Sequence, residues 1–312
     1  MRSDRFAAET DAACSSAAAV PAGRKGGAGA PRVLHRSRRA RVANRKVALA
    51  ACVLSVCALV AVVAAGLAVY DSATEVDFAS KNMAPCLAHP FGTDWMGRDM
   101  LLRTLSGLST SVLVGLAAAA FSSVVALALA VVAALGGKRA DAVVTWVIDL
   151  VMGVPHIVLL ILISFALGKG FWGVAVGIAL THWPSLTRVL RAEIMQCRES
   201  TYVAVARKLG KSPARIAATH IVPFVFPQFL VGLILLFPHA ILHEAAITFL
   251  GFGLPPEQPA IGVILSEAMG YLSAGMWWLA VFPGLALVAC VLLFDVAGSS
   301  LRMLVDPHTA QR

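Results

Sequence analysis

Apolar stretches long enough to cross a lipid bilayer recur along most of this 312-residue chain. A membrane-spanning helix needs about 20 mostly apolar residues, because the hydrocarbon core is about 30 Å thick. The stretches that approach this length lie at 47–70, 108–135, 142–168, 172–190, 224–249 and 276–301. Hydrophobic residues make up 59% of the chain and charged residues only 14%, against about 25% in soluble domains. The sequence therefore predicts an all-α membrane protein with six transmembrane helices and no large aqueous domain.

The two ends of the chain are polar. The first 46 residues are rich in Ala, Gly, Ser and Arg and end in a basic run over 35–41. Such a composition cannot form a packed core, so a disordered basic tail is predicted for 1–46. A cleaved signal peptide fits less well, because the stretch 47–70 exceeds the usual apolar core of about 7–15 residues. The expected organisation is this tail, a transmembrane domain over 47–307 and a C-terminal tail over 308–312.

The positive charges sort to one side of the membrane once the amino terminus is placed in the cytoplasm. Of the 26 Lys and Arg residues, 22 then fall on the cytoplasmic side. This asymmetry is the positive-inside rule, and it accounts for the net charge of +9 without a nucleic-acid partner. Six spans then place both termini and the segment 191–222 inside, and the segment 71–107 outside.

Two motifs typical of enzymes are incomplete. His243-Glu244 begins an HExxH zinc motif, but Ile247 stands in place of the second histidine. The run 210–212 resembles the end of a phosphate-binding loop, but Val205 replaces the required glycine. No catalytic residue, cofactor or resident metal is expected, so any ATP would be hydrolysed by another subunit.

The polar segment 191–222 is predicted to hold two short helices. The first covers 200–209, capped by Ser200 or Thr201 and ended by Gly210, and the second begins at Ser212-Pro213. Pro223 is expected to end the second helix before the next span. The apolar residues expected to share one face of the first helix are Tyr202, Val205, Ala206 and Leu209. A compact, partly apolar projection at the inner surface suits a groove on a cytoplasmic partner, although a connecting loop that packs only on itself is the alternative.

Residues 202–210, followed after nine residues by 220–223, resemble the EAA loop of ABC-importer permeases. In that family the loop docks into the ATPase subunits and couples them to the membrane domain. The motif's Glu-Ala-Ala corresponds here to Ala204-Val205-Ala206, so the glutamate is absent. The resemblance implies an ATPase-coupling role for Tyr202, Ala204, Ala206, Gly210, Ser212 and Pro223.

A second stretch, residues 89–99, resembles the H-x-x-GTD-x-x-GRD signature that precedes span two in the dipeptide, oligopeptide and nickel permeases. Gly92 and Gly97 permit turns, and Asp94, Arg98 and Asp99 are expected to form a local ion-pair network outside the bilayer. The signature residues are His89, Gly92, Thr93, Asp94, Gly97, Arg98 and Asp99. They either stabilise the turn that leads into the following helix or contact the substrate.

The resemblance covers residues 47–307, with further similarity over 247–253 and 278–285 and at Asp306-Pro307. It implies a type I ABC-importer permease with cytoplasmic coupling helices, in the inner membrane of a bacterium. The implied partners are a second homologous permease, two cytoplasmic ATPases, an extracytoplasmic solute-binding protein and the surrounding lipid. The implied substrates are peptides or nickel, the latter as an ion or a metal chelate.

Polar residues within the spans are candidates for the translocation path, because ionisable groups are costly in a bilayer and usually face the interior of the bundle. They are Asp149, Met152, His156, His182, His239, His243 and Glu244. The seven-residue spacing of Asp149 and His156 predicts that they share a helix face, and the last three of the set are expected to cluster on span five. These residues either hold a metal or metal chelate on its way through the pore or form hydrogen bonds between helices.

Two other functions stay open at this point. One is an integral-membrane metal-dependent hydrolase that uses His243 and Glu244, and it requires a complete set of metal ligands. The other is a stand-alone channel or secondary carrier, which would transport its substrate without an ATPase.

Overall fold

The computed structural model describes residues 38–305, with side chains from residue 45 onward. Within this range there is no β-strand beyond an isolated pairing of Thr93 with Asp99, so the predicted all-α class is confirmed. The described α-helices are α1 (Arg38–Ala68), α2 (Tyr70–Thr74), α3 (Met100–Leu135), α4 (Gly137–Gly153), α5 (His156–Ala166), α6 (Gly170–Arg198), α7 (Thr201–Lys208), α8 (Pro213–Ile216), α9 (Val222–Phe249), α10 (Ile261–Met269) and α11 (Trp278–Val305).

Several of these helices can cross a membrane, but the predicted number of six is not confirmed. Among the described residues, four helical segments are long and apolar enough, and they are 45–68, 100–135, 213–249 and 278–305. The pair α4 and α5 becomes a fifth if it is counted as one broken span. Helix α6 has 29 residues, which is sufficient length, but it does not reach the same hydropathy. The chain is a multi-pass membrane protein.

The span predicted over 142–168 is broken into the two helices α4 and α5. The two helices meet at an angle of 93°. Pro155 lies between them; it has no N–H to donate, and its ring clashes with the carbonyl of the preceding turn. The bend separates residues of α4 from residues of α5 that a straight helix would place on one face.

The predicted ends of the chain are only partly within the described range. Helix α1 begins at Arg38, so the last part of the tail predicted as disordered over 1–46 is helical instead. Residues 1–37 lie outside the described residues, and so do Asp306-Pro307 and the C-terminal tail 308–312.

Helix α3 lies at the centre of the bundle and packs against α1, α6 and α9. Small residues allow the backbones to come close. A side chain at Gly66 of α1 would collide with the carbonyl of Leu105, and one at Gly115 would lie 2.8 Å from Ile241 of α9. Close approach through small residues is the usual basis of helix association in membranes, where the hydrophobic effect does not drive helices together.

The connecting segments gather at two ends of the bundle. At one end, the guanidinium of Arg198 donates to the carbonyl of Ala134 at 2.7 Å, which places the start of α7 beside the turn between α3 and α4. At the other end, Lys169 donates to the carbonyl of Gly251 and Gly170 to that of Gly253, each at 3.0 Å. This grouping agrees with the sides predicted from charge, although which end faces the cytoplasm stays a prediction.

Candidate functional site

The external signature begins with a helix cap. The Asp99 carboxylate accepts hydrogen bonds from the N–H groups of Leu101 (2.8 Å) and Leu102 (3.2 Å) at the start of α3. Its other oxygen lies 2.7 Å from Nδ1 of His89. Side-chain acceptors at this position stabilise a helix by pairing N–H groups that have no partner within it. Asp99 therefore fixes the start of α3 instead of joining the predicted network with Asp94.

A buried ion network joins the signature to α10. Asp94 accepts from Arg98 Nε at 2.6 Å and from Arg103 Nη1 at 3.0 Å. Arg103 Nη1 also contacts Glu267 at 2.7 Å, and Arg98 reaches the same carboxylate at 3.3 Å. Glu267 was not among the residues predicted for this site, because it lies 164 residues after Arg103. The indication that the sequence offers is a negative charge on the side of the membrane where Arg98 and Arg103 are also predicted to lie.

The glycines of the signature are required by backbone geometry. Gly92 and Gly97 have φ angles of +73° and +80°, in the left-handed region that side chains disfavour. A side chain at Gly97 would also collide with the carbonyl of Asp77. Thr93 connects the same turns, because its hydroxyl accepts from the Met83 N–H at 2.8 Å. The signature therefore builds a hydrogen-bonded cap over the start of α3, here called the external cap. Its place outside the membrane and direct contact with substrate stay predictions.

Asp77 fixes the turn against which Gly97 lies. Its carboxylate accepts from the hydroxyl of Ser80 at 2.7 Å and from the N–H of Ala79 at 3.0 Å. These hydrogen bonds, that of Ser80 first, lower the pKa of the Asp77 carboxyl because they favour its ionised form. The charged side chain consequently caps the short helix Phe78–Ser80.

In the segment proposed for coupling, three of the four apolar residues predicted to share one face are exposed together, and the fourth, Ala206, is buried. Val203 and Ala206 are buried against the protein's own core, because α7 folds back on the end of α6 and on the residues around 216–221. Ala204, at the place of the family's glutamate, is exposed. The apolar side chains left exposed are Tyr202 (48%), Val205 (49%) and Leu209 (74%). Helix α7 thus presents apolar surface away from the bundle.

The ends of these short helices agree with the sequence in part. Gly210 has a φ of +77° and follows α7, and Ser212 caps α8 with Pro213 in its first turn, as predicted. Ser200 occupies the expected position before α7, but its hydroxyl donates to the carbonyl of Cys197 and caps no N–H. The prediction of a side-chain cap at the start of α7 is wrong for this reason.

Pro223 does not end a helix. Helix α8 continues through a π-helical turn, Ala217–Ile221, directly into α9, and Pro223 lies in the first turn of α9. The wider π turn removes the clash that a proline makes with the preceding helical turn. The second short helix of this segment, α8, is therefore continuous with the membrane span α9.

Tyr202 links the two parts of this segment. Its hydroxyl lies 2.9 Å from Sγ of Cys197, and its ring packs against His220 with centroids 6.4 Å apart. Partial burial, followed by the contact with Cys197, raises the pKa of the Tyr202 phenol. The phenol is accordingly a neutral hydrogen-bonding group at physiological pH.

Three histidines from three helices meet within the bundle. His156 is the first residue of α5, His182 lies in the middle of α6 and His243 lies in α9. Their ring centroids are 4.6 to 4.9 Å apart, and one nitrogen from each ring lies within 4.8 Å of the other two. His182 is buried and the other two are half-buried. The sequence placed all three among the pathway candidates but did not predict that they would meet.

Backbone carbonyls fix two of these rings. Nδ1 of His182 lies 2.9 Å from the carbonyl of Ile178, and Nδ1 of His243 lies 2.7 Å from that of His239. A carbonyl oxygen only accepts, so both Nδ1 atoms carry the hydrogen, and each Nε2 of the neutral ring offers a lone pair. Nε2 of His156 and of His182 is buried without a hydrogen-bond partner among the described residues.

The other pathway candidates lie elsewhere. Asp149 forms an exposed ion pair with Arg188 at 2.6 Å. The prediction that it shares a helix face with His156 is wrong, because the 93° bend lies between them. Met152 lies on α4, across the 93° bend from α5, and is half exposed. His239 contributes its backbone carbonyl, not its ring, to the histidine cluster.

Glu244 does not join the histidines either. It is fully buried, and its Oε1 accepts from the hydroxyl of Thr248 at 3.0 Å. It lies near Ser111 of α3 and outside the group of ligand atoms that meet within 4.8 Å. His243 and Glu244 therefore do not converge on one centre as a zinc hydrolase requires.

Comparison with known proteins agrees with a membrane-spanning helical bundle. The profile of the family described as "Binding-protein-dependent transport system inner membrane component" matches residues 100–311. A protein of Brucella suis biovar 1 named as a peptide permease is 34% identical over 235 residues, covering 75% of this chain and 78% of its own length.

Two further relatives carry similar names. One from the same organism, named as a peptide transport system permease, is 36% identical over 253 residues, covering 80% of this chain and 85% of its own length. The dipeptide transport system permease protein DppC of Bacillus subtilis is 28% identical over 236 residues, covering 76% and 74%. The chain belongs to the family of binding-protein-dependent transport system inner membrane components, the permease subunits of ABC importers.

Proposed function

We propose that this protein is one permease subunit of an ATP-driven importer of peptides in a bacterial inner membrane, with both termini in the cytoplasm. Membership of the family supports the importer, and the names of the relatives in Brucella suis and Bacillus subtilis support peptides as the cargo. Nickel, the other substrate class implied by the sequence resemblance, is named for none of these three relatives. The chain supplies half of a translocation path and pairs with a second, homologous permease.

Two cytoplasmic ATPases and an extracytoplasmic solute-binding protein complete the proposed importer. The observation that carries the coupling role is the exposed apolar surface of α7, formed by Tyr202, Val205 and Leu209. Arg207 and Lys208 are exposed beside it. Exposed apolar side chains flanked by charged residues at the end of a membrane domain are typical of a protein-binding surface. The continuous path from α8 into α9 gives this surface a mechanical connection to the bundle.

Neither alternative receives comparable support. A membrane hydrolase needs His243 and Glu244 at one centre. The carboxylate of Glu244 instead accepts a hydrogen bond from the Thr248 hydroxyl and lies apart from the histidines. A stand-alone channel or carrier does not need an exposed apolar helix at one end, and the relatives compared are named permeases of transport systems.

Co-purification tests the coupling role directly. We expect the wild-type chain, solubilised from native membranes in mild detergent, to retain its ATPase subunits. Leu209→Asp should lose them, because a charge replaces the most exposed apolar side chain of α7 without touching the buried face. Lys138→Asp is the matched control, since it also adds an Asp at an exposed position but lies at the start of α4. If Leu209→Asp retains the ATPase as fully as Lys138→Asp, α7 is not the docking surface.

A further inference from the structure

We propose that His156, His182 and His243 together bind one divalent ion of a late first-row transition metal, such as Zn²⁺, Co²⁺ or Ni²⁺. The site lies between α5, α6 and α9, within the membrane bundle. It is additional to the proposed transport of peptides, and the proposal does not depend on which cargo crosses the membrane.

The first argument is geometric. Three nitrogens that bind one ion at about 2.1 Å in a tetrahedral arrangement lie roughly 3.4 Å from one another. The three ligand nitrogens here already lie within 4.8 Å of one another. An inward movement on the order of 1 Å completes the arrangement, and His156 and His243, which are only half-buried, have room to make it.

The second argument concerns lone pairs. The carbonyls of Ile178 and His239 hold Nδ1 of His182 and His243 protonated, so both Nε2 atoms are acceptors. Two acceptors cannot hydrogen-bond each other, and the ring of His156 can donate from Nε2 to only one of them. Buried polar atoms without partners are costly, whereas a cation satisfies all three lone pairs at once. Hydrogen bonds from the far nitrogen of a ligating histidine to a carbonyl are also typical of metal sites.

The ligand set selects the class of ion. Imidazole nitrogens favour Zn²⁺, Ni²⁺, Co²⁺ and Cu²⁺, while Ca²⁺ and Mg²⁺ require oxygen ligands that this cluster lacks. Three protein ligands leave at least one coordination position open. Neutral imidazoles do not balance a double positive charge, and the amino end of α5 at His156 adds partial positive charge. The open position therefore favours an anionic ligand.

The break at Pro155 explains why the cluster forms. It ends α4 at Gly153 and makes His156 the first residue of a helix that packs against α6 and α9. A straight helix over 142–168 would carry the ring of His156 on the same face as Asp149 instead. The bend that separates His156 from the helix face of Asp149 is thus the feature that creates the site.

The test is metal binding by the full chain, purified in detergent without a polyhistidine tag and stripped with a chelator. Metal content after loading with Zn²⁺ and gel filtration should be one ion per chain, and Co²⁺ should give the intense visible absorption of a tetrahedral site. His156→Gln and His243→Gln should each weaken Zn²⁺ binding at least tenfold, and combining them with His182→Gln should abolish it. His220→Gln, which lies in the segment after α7, is the control and should keep the stoichiometry.

Either of two results would overturn the proposal. One is a wild-type chain that holds no more Zn²⁺ than the triple variant. The other is binding that falls equally with His220→Gln, which would show adventitious binding by accessible imidazoles. If the variant with His182→Gln does not remain monodisperse, Zn²⁺ binding by His156→Gln and His243→Gln is compared with that of the wild type. These two substitutions leave the buried core of α6 intact.

Discussion

At the scale of single residues, the external cap depends on charges that are held away from water. Asp94 and Arg103 are both buried, and Glu267 of α10 contacts Arg103. A buried charge is tolerated only when its partners are in place, so this network fixes the beginning of α3 against α10. The turn glycines and the Asp99 cap fix the turns next to this network, and together they hold the external cap against α3.

Removing Arg103 should therefore cost much more stability than its single charge suggests. Arg103→Ala leaves the carboxylate of Asp94 buried with one partner fewer, and we expect a loss of about 3–5 kcal/mol. Thermal unfolding in detergent measures the loss. Lys81→Ala removes an exposed cation from the same side and should change stability by less than about 1 kcal/mol. Equal effects of the two substitutions would show that the network contributes no more than a surface charge.

The same residues show what a sequence can and cannot specify. The turns at Gly92 and Gly97 and the Asp94–Arg98 pair could be predicted, because they depend on residues a few positions apart. Glu267 could not, since its proximity to Arg103 arises only when α10 packs on α3. The sequence likewise could not predict that His156, His182 and His243 meet, although each could be recognised as an ionisable residue within an apolar span.

At the scale of helices, close packing of small residues decides which elements meet. Gly66 is the clearest case, because the carbonyl of Leu105 occupies the space that its side chain would need. Where packing competes with local preference, packing prevails. Contact with α6 and the residues around 216–221 buries Val203 and Ala206, although Ala206 was predicted to share a face with the residues that are exposed.

Gly66→Val should separate α1 from α3. The added atoms would meet the Leu105 backbone and the Ser109 side chain, and overpacking of this kind costs about 1–3 kcal/mol. Ala64→Val, on an exposed face of the same helix, is the matched control and should be neutral. Unfolding temperatures of the two variants in one detergent give the comparison. A Gly66→Val protein as stable as Ala64→Val would contradict the close approach of α1 and α3.

Prolines mark the limit of prediction at this scale. A proline at position 155 is recognisable from the sequence as a residue that disturbs a helix, but the size of the bend depends on how α5 packs against α6 and α9. Pro223 was expected to end a helix, and the π turn before it keeps the chain helical instead. A proline specifies where regular hydrogen bonding fails, whereas tertiary contacts determine what replaces it.

At the scale of the whole molecule, the chain is a membrane bundle with two differently built ends. One end is a cap joined to α10 by ion pairs. The other presents the exposed apolar side chains at α7, and the next short helix, α8, is continuous with a span. The all-α class and the approximate position of each apolar helix could be predicted from composition and length. The number of spans could not, because α6 carries polar side chains in its middle and α4 and α5 are bent apart.

The central proposal is that movement of an ATPase reaches the bundle through α7. ATP-dependent uptake of a labelled peptide by proteoliposomes that contain the complete importer measures this most directly, with ATP inside and the solute-binding protein outside. We predict uptake that requires both, is preserved by Lys138→Asp and falls at least tenfold with Leu209→Asp. Uptake that proceeds without ATP, or that Leu209→Asp leaves unchanged, would contradict the proposal.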